Sequence, residues 1–414
     1  MNPIPKISQA GFLMAVLTLG LVSLAHAQNP AQPILRGQNR ADRIPGQYIV
    51  VLKAGVLPAA VTSRHGLAPE HVYSHALNGF SGAFSSRQLW ALLADPQVDW
   101  LEEDQVVTIG AQTLPFGIER IGANQNTTAK IDGIDGVAER MNVDIAIIDT
   151  GIDLNHPELN VFKHISFVNG AKNGHDDNGH GTHCAGIAAA IDNGTGVVGV
   201  APGARLWAVK VLSRSGSGTM SGVIKGVDYV TANSGSIEVA NMSLGGGNSG
   251  ALNSAIASSV AKGVVYAVAA GNSAVNAASS SPANSPDVLC VSAIVDTDGF
   301  PGGSGPETNY GWDDTFATFS NFGSVVNIAA PGVNILSTYK GGGYATMSGT
   351  SMASPYVAGA AALYILRHGK PDKADKAAIV RAAIIAAGTP QGDANGFSGD
   401  TDGVPERLLN AKNL

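Results

Sequence analysis

"VDIAIIDTGID", residues 143 to 153, decides how this chain folds. After Asp144 the residues up to Ile148 are apolar without alternation, so a strand here is buried on both faces, the habit of a strand in a parallel sheet. The run stops on Asp149 and turns through Thr150 and Gly151. Stretches of the same texture follow: "RLWAVKVL" (205–212), "EVANMSL" (238–244), "GVVYAVAA" (263–270) and "VLCVSAI" (288–294). Between them lie helical, alanine-rich segments: "THCAGIAAAI" (182–191), "SGVIKGVDYVTAN" (221–233) and "ALNSAIASSVAK" (251–262). Strand and helix in alternation specify an α/β domain with a parallel sheet flanked by helices, whose reactive groups belong at the carboxyl ends of the strands.

The 414 residues suffice for one large domain with an appendage. Hydrophobic residues make up 44% and charged residues 14%, which excludes disorder, and a net charge of -7 argues against nucleic acid as a partner. The N-terminus reads as an export signal: Lys6, the apolar run "GFLMAVLTLGLVSLA" and the small-residue site "AHA" at 25–27 define residues 1–27. The apolar run is short for a membrane span of ~30 Å, and no later segment reads as transmembrane. A secreted protein without a membrane anchor is therefore expected. Residues 28–46, polar and broken by proline and glycine, are expected to be a linker. Residues 47–110 read as a small α+β module: strands at 47–53 and within 71–85, a short helix at 86–95 and extended chain from 98. The texture changes near residue 111, where the larger domain, 111–414, begins.

The strand ends hold the chemistry. Asp149 ends an apolar strand, where a carboxylate needs a partner. "NGHGTHCAG" (178–186) offers His180 between two glycines, then His183 and Cys184; "AAGN" (269–272) ends a strand on Asn272; "SGTSMASP" (348–355) opens a long apolar helix with Ser351. Serine capping and a proline in the first turn explain that last stretch structurally. Aspartate, histidine and serine are also the parts of an activated nucleophile, with the helix start and Asn272 as donors to an oxyanion. Other readings stand beside this one. His180, His183 and Cys184 could hold zinc, Cys184 could be a nucleophile, and "GSGTMSG" (216–222) sits where a dinucleotide loop would, though its glycines are misspaced. The two cysteines, Cys184 and Cys290, are too few for a disulfide framework, and one bridge between them is the default in an oxidising compartment.

"DTGID", "NGHGTHCAG", "AAGN" and "GTSMASP", in that order, resemble the subtilisin-like serine proteases, and no G-x-S-x-G occurs. The resemblance covers residues 111–414. It implies a secreted, monomeric serine endopeptidase acting on proteins and peptides through an acyl-enzyme. In it Asp149 orients, His180 is the base then acid, Ser351 attacks, and Asn272 with the Ser351 amide binds the oxyanion. His183 becomes structural, and Cys184 resembles the buried free cysteine of the proteinase K-like and thermitase-like branches, against a bridge to Cys290. Residues 47–110 resemble the inhibitory propeptide of an autoprocessed zymogen, with cleavage near Gly110 and Ala111. "SGSG" (215–218, including Ser217 and Gly218) and "SLGG" (243–246) resemble the edges between which a peptide lies as an added strand. The pocket for the residue before the scissile bond then falls to Ser243, Leu244, Gly245, Ala270, Gly271 and Asn272, with Ser279 to Pro282 as further lining. All are uncharged, so apolar or aromatic preference is expected. Calcium is the implied cofactor, held by Gln112, Glu158, Ile191, Asn193, Thr195 and Val197, with glutamate where aspartate is commoner.

Overall fold

The computed structural model describes residues 34–36, 43–105, 112–132 and 140–414. The export signal at 1–27 and the cleavage point at 110–111 lie outside them. The chain packs as two units that divide between Val106 and Val107.

The first unit contains β1 (Ile34–Arg36), β2 (Arg43–Leu52), α1 (Pro58–His65), β3 (His71–Tyr73), β4 (Gly79–Ala83), α2 (Ser86–Leu93) and β5 (Val98–Gln105). The strands form one sheet in the order β1-β5-β2-β4-β3, antiparallel except where β1 joins β5. Val50, Leu52, Val61, Phe80, Leu92 and Leu101 make its small core. The α+β character agrees with the sequence reading, but the linker at 28–46 does not hold throughout. Residues 34–36 pair with 100–102, and β2 starts at Arg43 rather than at residue 47. Their backbone groups find sheet partners, which outweighs the local proline and glycine.

The second unit opens with α3 (Phe116–Arg120) and then runs β6 (Asp144–Asp149), β7 (Val161–Ser166), α4 (His180–Ala189), β8 (Arg205–Lys210), α5 (Met220–Ala232), β9 (Val239–Met242), β10 (Gly246–Gly247), α6 (Gly250–Val260), β11 (Val265–Ala269), β12 (Ser280–Ser281), β13 (Leu289–Val295), β14 (Thr315–Phe316), β15 (Ile328–Pro331), β16 (Ile335–Tyr339), β17 (Gly343–Met347), α7 (Thr350–His368), α8 (Ala374–Ala387) and β18 (Arg407–Leu408). Eight strands lie in the order β18-β15-β13-β11-β9-β6-β8-β7, all parallel, and β14 adds antiparallel to β13. Every residue of β6, β9, β11 and β13 is buried, as their unbroken apolar runs require. The chain leaves β6 toward β8 and β7 on one side and returns through β9 to β11 and β13 on the other. That reversal places the carboxyl end of β6, and Asp149, at the switch point where open α/β sheets bind ligands.

Candidate active site

Asp149 is fully buried at the end of β6. Its Oδ1 accepts from the Thr150 amide at 2.6 Å and from His180 Nδ1 at 2.8 Å. His180 is the first residue of α4, and it reaches Asp149 because Gly181 brings the helix start against the β6 turn. A Cβ on Gly181 would lie 2.1 Å from the Gly151 carbonyl oxygen. Burial lowers the His180 pKa, but the Asp149 carboxylate, through its charge and its hydrogen bond, with the charge of Asp176 adding, carries it above the ordinary histidine value. The contact also fixes the tautomer. With hydrogen on Nδ1, the other ring nitrogen is free to accept.

Ser351 lies in the first turn of α7, and the structure corrects the capping reading of this stretch. The N-cap is Gly349, with no side-chain cap, and Pro355 sits inside the helix. Pro355 has no amide to offer the carbonyl four residues back, which is that of Ser351. That freed oxygen accepts instead from Ser243 Oγ at 2.7 Å and from Cys184 Sγ at 3.4 Å. Asn241 Nδ2 donates to Ser243 Oγ at 2.9 Å and its Oδ1 accepts from Ser354 Oγ at 2.7 Å, so a buried polar chain ties β9 to α7. The Ser351 hydroxyl itself donates to the Ser243 carbonyl at 3.3 Å rather than to His180. A loose or rotated nucleophile is common before substrate arrives, since these bonds tighten only in the complex.

Asn272 follows β11. Its Oδ1 accepts from the Thr350 amide at 2.8 Å and Thr350 Oγ1 at 2.9 Å, which leaves Nδ2 to face the space in front of α7. A Cβ built on Gly349 (φ 154°) would stand 3.3 Å from Asn272 Nδ2 and 3.7 Å from the Ser351 amide nitrogen. Two candidate donors, Asn272 Nδ2 and the Ser351 amide, thus lie close to one point beside Gly349, whose φ favours glycine. Sequence reasoning missed Asn321, which holds this loop: its Nδ2 donates to the Ala270 carbonyl at 2.9 Å and its Oδ1 accepts from the amides of Ser273 and Val275. Its only sequence signal is an asparagine in a turn, which is common.

The alternative readings fail on geometry. His183 Nε2 meets the carbonyls of Ile335 and Ala345 at 3.0 and 2.9 Å, and burial lowers its pKa to about 4, so it is neutral and engaged away from His180. Cys184 lies beside Asp149 and His180, but burial pushes its thiol well above the ordinary range, which argues against a thiolate nucleophile, and the zinc set of His180, His183 and Cys184 is broken because His183 is turned to the Ile335 and Ala345 carbonyls. Cys184 and Cys290 are both free and buried. The glycines of 216–222 serve the rim of a cleft: a cavity of about 420 Å³ is lined by His180, Leu212, Ser217, Gly218, Ser243 and Leu244 among others.

An adjoining cavity of about 380 Å³ is bounded by Leu244, Gly245, Ala270, Gly271, Asn272 and Ser351, and no charged residue is among those that line it. Of the stretch Ser279 to Pro282, Ser280 and Ser281 line this cavity, joined by Ala283.

Of the expected calcium ligands, Gln112, Ile191, Val197 and Glu158 come together, while Asn193 and Thr195 pair with each other. The Gln112 amide lies 2.8 Å from the Ile191 carbonyl and 3.0 Å from that of Val197. Glu158 accepts from the Val197 amide through Oε2 and from the Tyr344 hydroxyl through Oε1, and Asn193 Oδ1 accepts from the Thr195 amide and hydroxyl. Burial raises the Glu158 pKa, against the opposing pull of Tyr344, Val197 and His156. This set of carbonyl, amide and carboxylate oxygens suits a hard cation. Gln112 presents its nitrogen here, and its near-symmetric amide can present oxygen from the same place.

A buried acid, a histidine held by it, a serine at a helix start and two converging donors define a serine hydrolase site on a parallel α/β sheet. Residues 140–404 match the Subtilase family, and residues 63–110 match Peptidase inhibitor I9. The chain is 36% identical over 363 residues to the alkaline protease of Shouchella clausii, covering 87% of this chain and 88% of that one. It is 39% identical over 309 residues to subtilisin E of Bacillus subtilis, covering 70% and 71%. A crystal structure of a cold adapted subtilisin-like serine proteinase superposes with a TM-score of 0.58 at 36% identity, covering 72% of this chain and 97% of that one. The chain belongs to the subtilase family of serine endopeptidases, and it carries an inhibitor-type propeptide domain ahead of the catalytic domain.

Proposed function

We propose that the protein is a secreted endopeptidase, made as a zymogen, that cuts after apolar or aromatic residues through an acyl-enzyme. The observation that carries this reading is the 2.8 Å bond from His180 Nδ1 to buried Asp149, with His180 lining the cavity that adjoins the one bordered by Ser351. His180 takes the Ser351 proton as Oγ bonds to the substrate carbonyl carbon. The carbonyl oxygen gains charge between Asn272 Nδ2 and the Ser351 amide, each such donor contributing about 3 kcal/mol to the transition state. His180 then gives its proton to the leaving amine, and water repeats the sequence on the ester. The uncharged wall of the smaller cavity supports apolar or aromatic preference over basic specificity.

Secretion rests on the N-terminal signal sequence, and no described helix is long and apolar enough to cross a membrane. Residues 47–110 act as intramolecular inhibitor, and self-cleavage near Gly110 and Ala111 releases the catalytic domain at 111–414. Gln112, Glu158, Ile191, Asn193, Thr195 and Val197 would hold calcium, which when bound supplies positive charge among these oxygens and no step of the reaction.

The test is Ser351→Ala, expected to lower turnover by about six orders of magnitude and to leave the expressed chain at full length. A Ser351→Ala protein that still processed itself near residue 110 and cleaved casein would remove Ser351 from the reaction.

A further inference from the structure

The stretch "DTDGFPGGSGPETNYGWDDT" (296–315) takes no part in the catalytic reading. It starts where β13 ends, at the same edge of the sheet as Asp149 and Asn272. Asp296 has a fully buried side chain, and neither of its carboxylate oxygens has a hydrogen-bond partner among the described residues. Arg120 Nε comes within 3.6 Å of Asp296 Oδ1 but is committed elsewhere. Its Nε and Nη2 donate to Asp314 Oδ1 at 2.8 and 2.6 Å, and Nη1 and Nη2 donate to the carbonyls of Asn395 and Gly396.

The neighbouring acids, by contrast, are supplied with donors. Asp313 accepts from the Thr297 amide and hydroxyl and from the Gly305 amide; Asp298 accepts from the Phe300 amide; Asp314 accepts from the amides of Gly302 and Gly303. The loop is thus wound around its carboxylates, and Asp296 is the member left without a donor. Two carboxylate oxygens buried without a donor are costly, and a cation held by them meets that demand.

One oxygen each from Asp296, Asp298 and Asp313 lie within 4.8 Å of one another, about twice a calcium–oxygen bond of ~2.4 Å. A cavity of about 440 Å³ bordered by Asp296, Thr297, Pro306 and Tyr310 lies alongside. We infer that Asp296, Asp298 and Asp313 form a binding site for a hard divalent cation, best matched by calcium, which pins the 296–314 loop to the end of β13. All three ligands are carboxylates, which favours calcium over softer transition metals, with water completing the shell. The site shares no residue with the ligand set around Glu158.

The experiment uses the full chain carrying Ser351→Ala, to prevent self-digestion, and Glu158→Gln, to remove the other carboxylate ligand. After EGTA treatment and desalting, terbium chloride is titrated with excitation of tryptophan, because exposed Trp312 adjoins Asp313. Saturable terbium emission, displaced by calcium chloride, and a calcium-dependent rise in melting temperature are expected. Asp296→Asn is expected to weaken both cations at least tenfold. Asp298→Asn, a change at a less buried position, does the same and covers the case in which Asp296→Asn fails to fold. Calcium and terbium affinities unchanged in the two variants, or no saturable binding at millimolar cation, overturn the proposal. So does an Asp296→Asn protein that is more stable with its calcium response intact, since Asp296 is then only a protonated acid.

Discussion

Asp149 does two jobs for His180 with one oxygen: it sets which ring nitrogen carries hydrogen, and it offsets the loss of basicity that burial imposes. The second job has a pH consequence. In the proposed reaction His180 must be neutral to take the Ser351 proton, and its pKa is raised, so activity is expected to be lost as pH falls through a value above the ordinary ~6.5 of histidine. The acid limb of kcat/KM is therefore expected to have its midpoint above that value. Asp149→Asn removes the charge, so the limb moves to lower pH while kcat falls by about four orders of magnitude through the wrong tautomer. A limb that stays in place in Asp149→Asn would mean that another group governs it. At this scale the sequence was most readable, because Asp149, His180, Asn272 and Ser351 each end or begin an element whose texture marks it. Asn321 was not readable. Its role comes from three hydrogen bonds to a loop some 50 residues away in the chain, and nothing local encodes them.

At the scale of elements, α7 shows why a proline belongs in a helix that could do without it. Pro355 leaves the Ser351 carbonyl for Ser243 and Cys184, and so couples the nucleophile's turn to β9 and α4. Pro355→Ala restores an amide that competes for that carbonyl. The expected result is a helix as stable or more stable, by up to ~3 kcal/mol, with kcat lowered about fivefold, the worth of one hydrogen bond. KM should change little, because the cleft walls are untouched. Steady-state kinetics beside thermal unfolding checks this, and an unchanged kcat would show that the Ser243 contact does not position Ser351. The strands β6, β8, β9, β11 and β13 were legible because strands buried on both faces cannot alternate. The same logic hides the short pieces. The antiparallel β16 and β17 have mixed burial, β1 and β18 are too short to carry a period, and α1 is a stretch of eight residues with one large apolar side chain, Val61.

At the scale of the molecule, stability should answer to calcium and to acid. Glu158 is the one acid in the proposed ligand set around Gln112, and burial raises its pKa, so protons compete with calcium there and binding is expected to weaken as pH falls. Calcium in excess of EGTA is expected to raise the melting temperature at pH 7 by several degrees, and Glu158→Gln to reduce that response. An equal response in both proteins would move calcium stabilisation away from Glu158. Acid acts through His183. Its folded pKa is about 4 against the ordinary 6.5 of histidine, because burial excludes the charged ring. Between those values the unfolded chain binds a proton that the folded one refuses, so stability is present above 6.5 and lost as pH falls toward 4, by about 3 kcal/mol. His180 has the opposite sign, but its change falls above 6.5 and leaves this window clear. Glu406, pushed up to about 8, opposes His183 within the window, so a difference between two proteins isolates it. His183→Gln keeps a donor for the Ile335 and Ala345 carbonyls and cannot titrate. It is expected to be less stable than the parent at pH 7, with the gap closing by about 3 kcal/mol between pH 7 and pH 4 in urea unfolding. A gap of constant size across that range would place the acid sensitivity elsewhere in the fold.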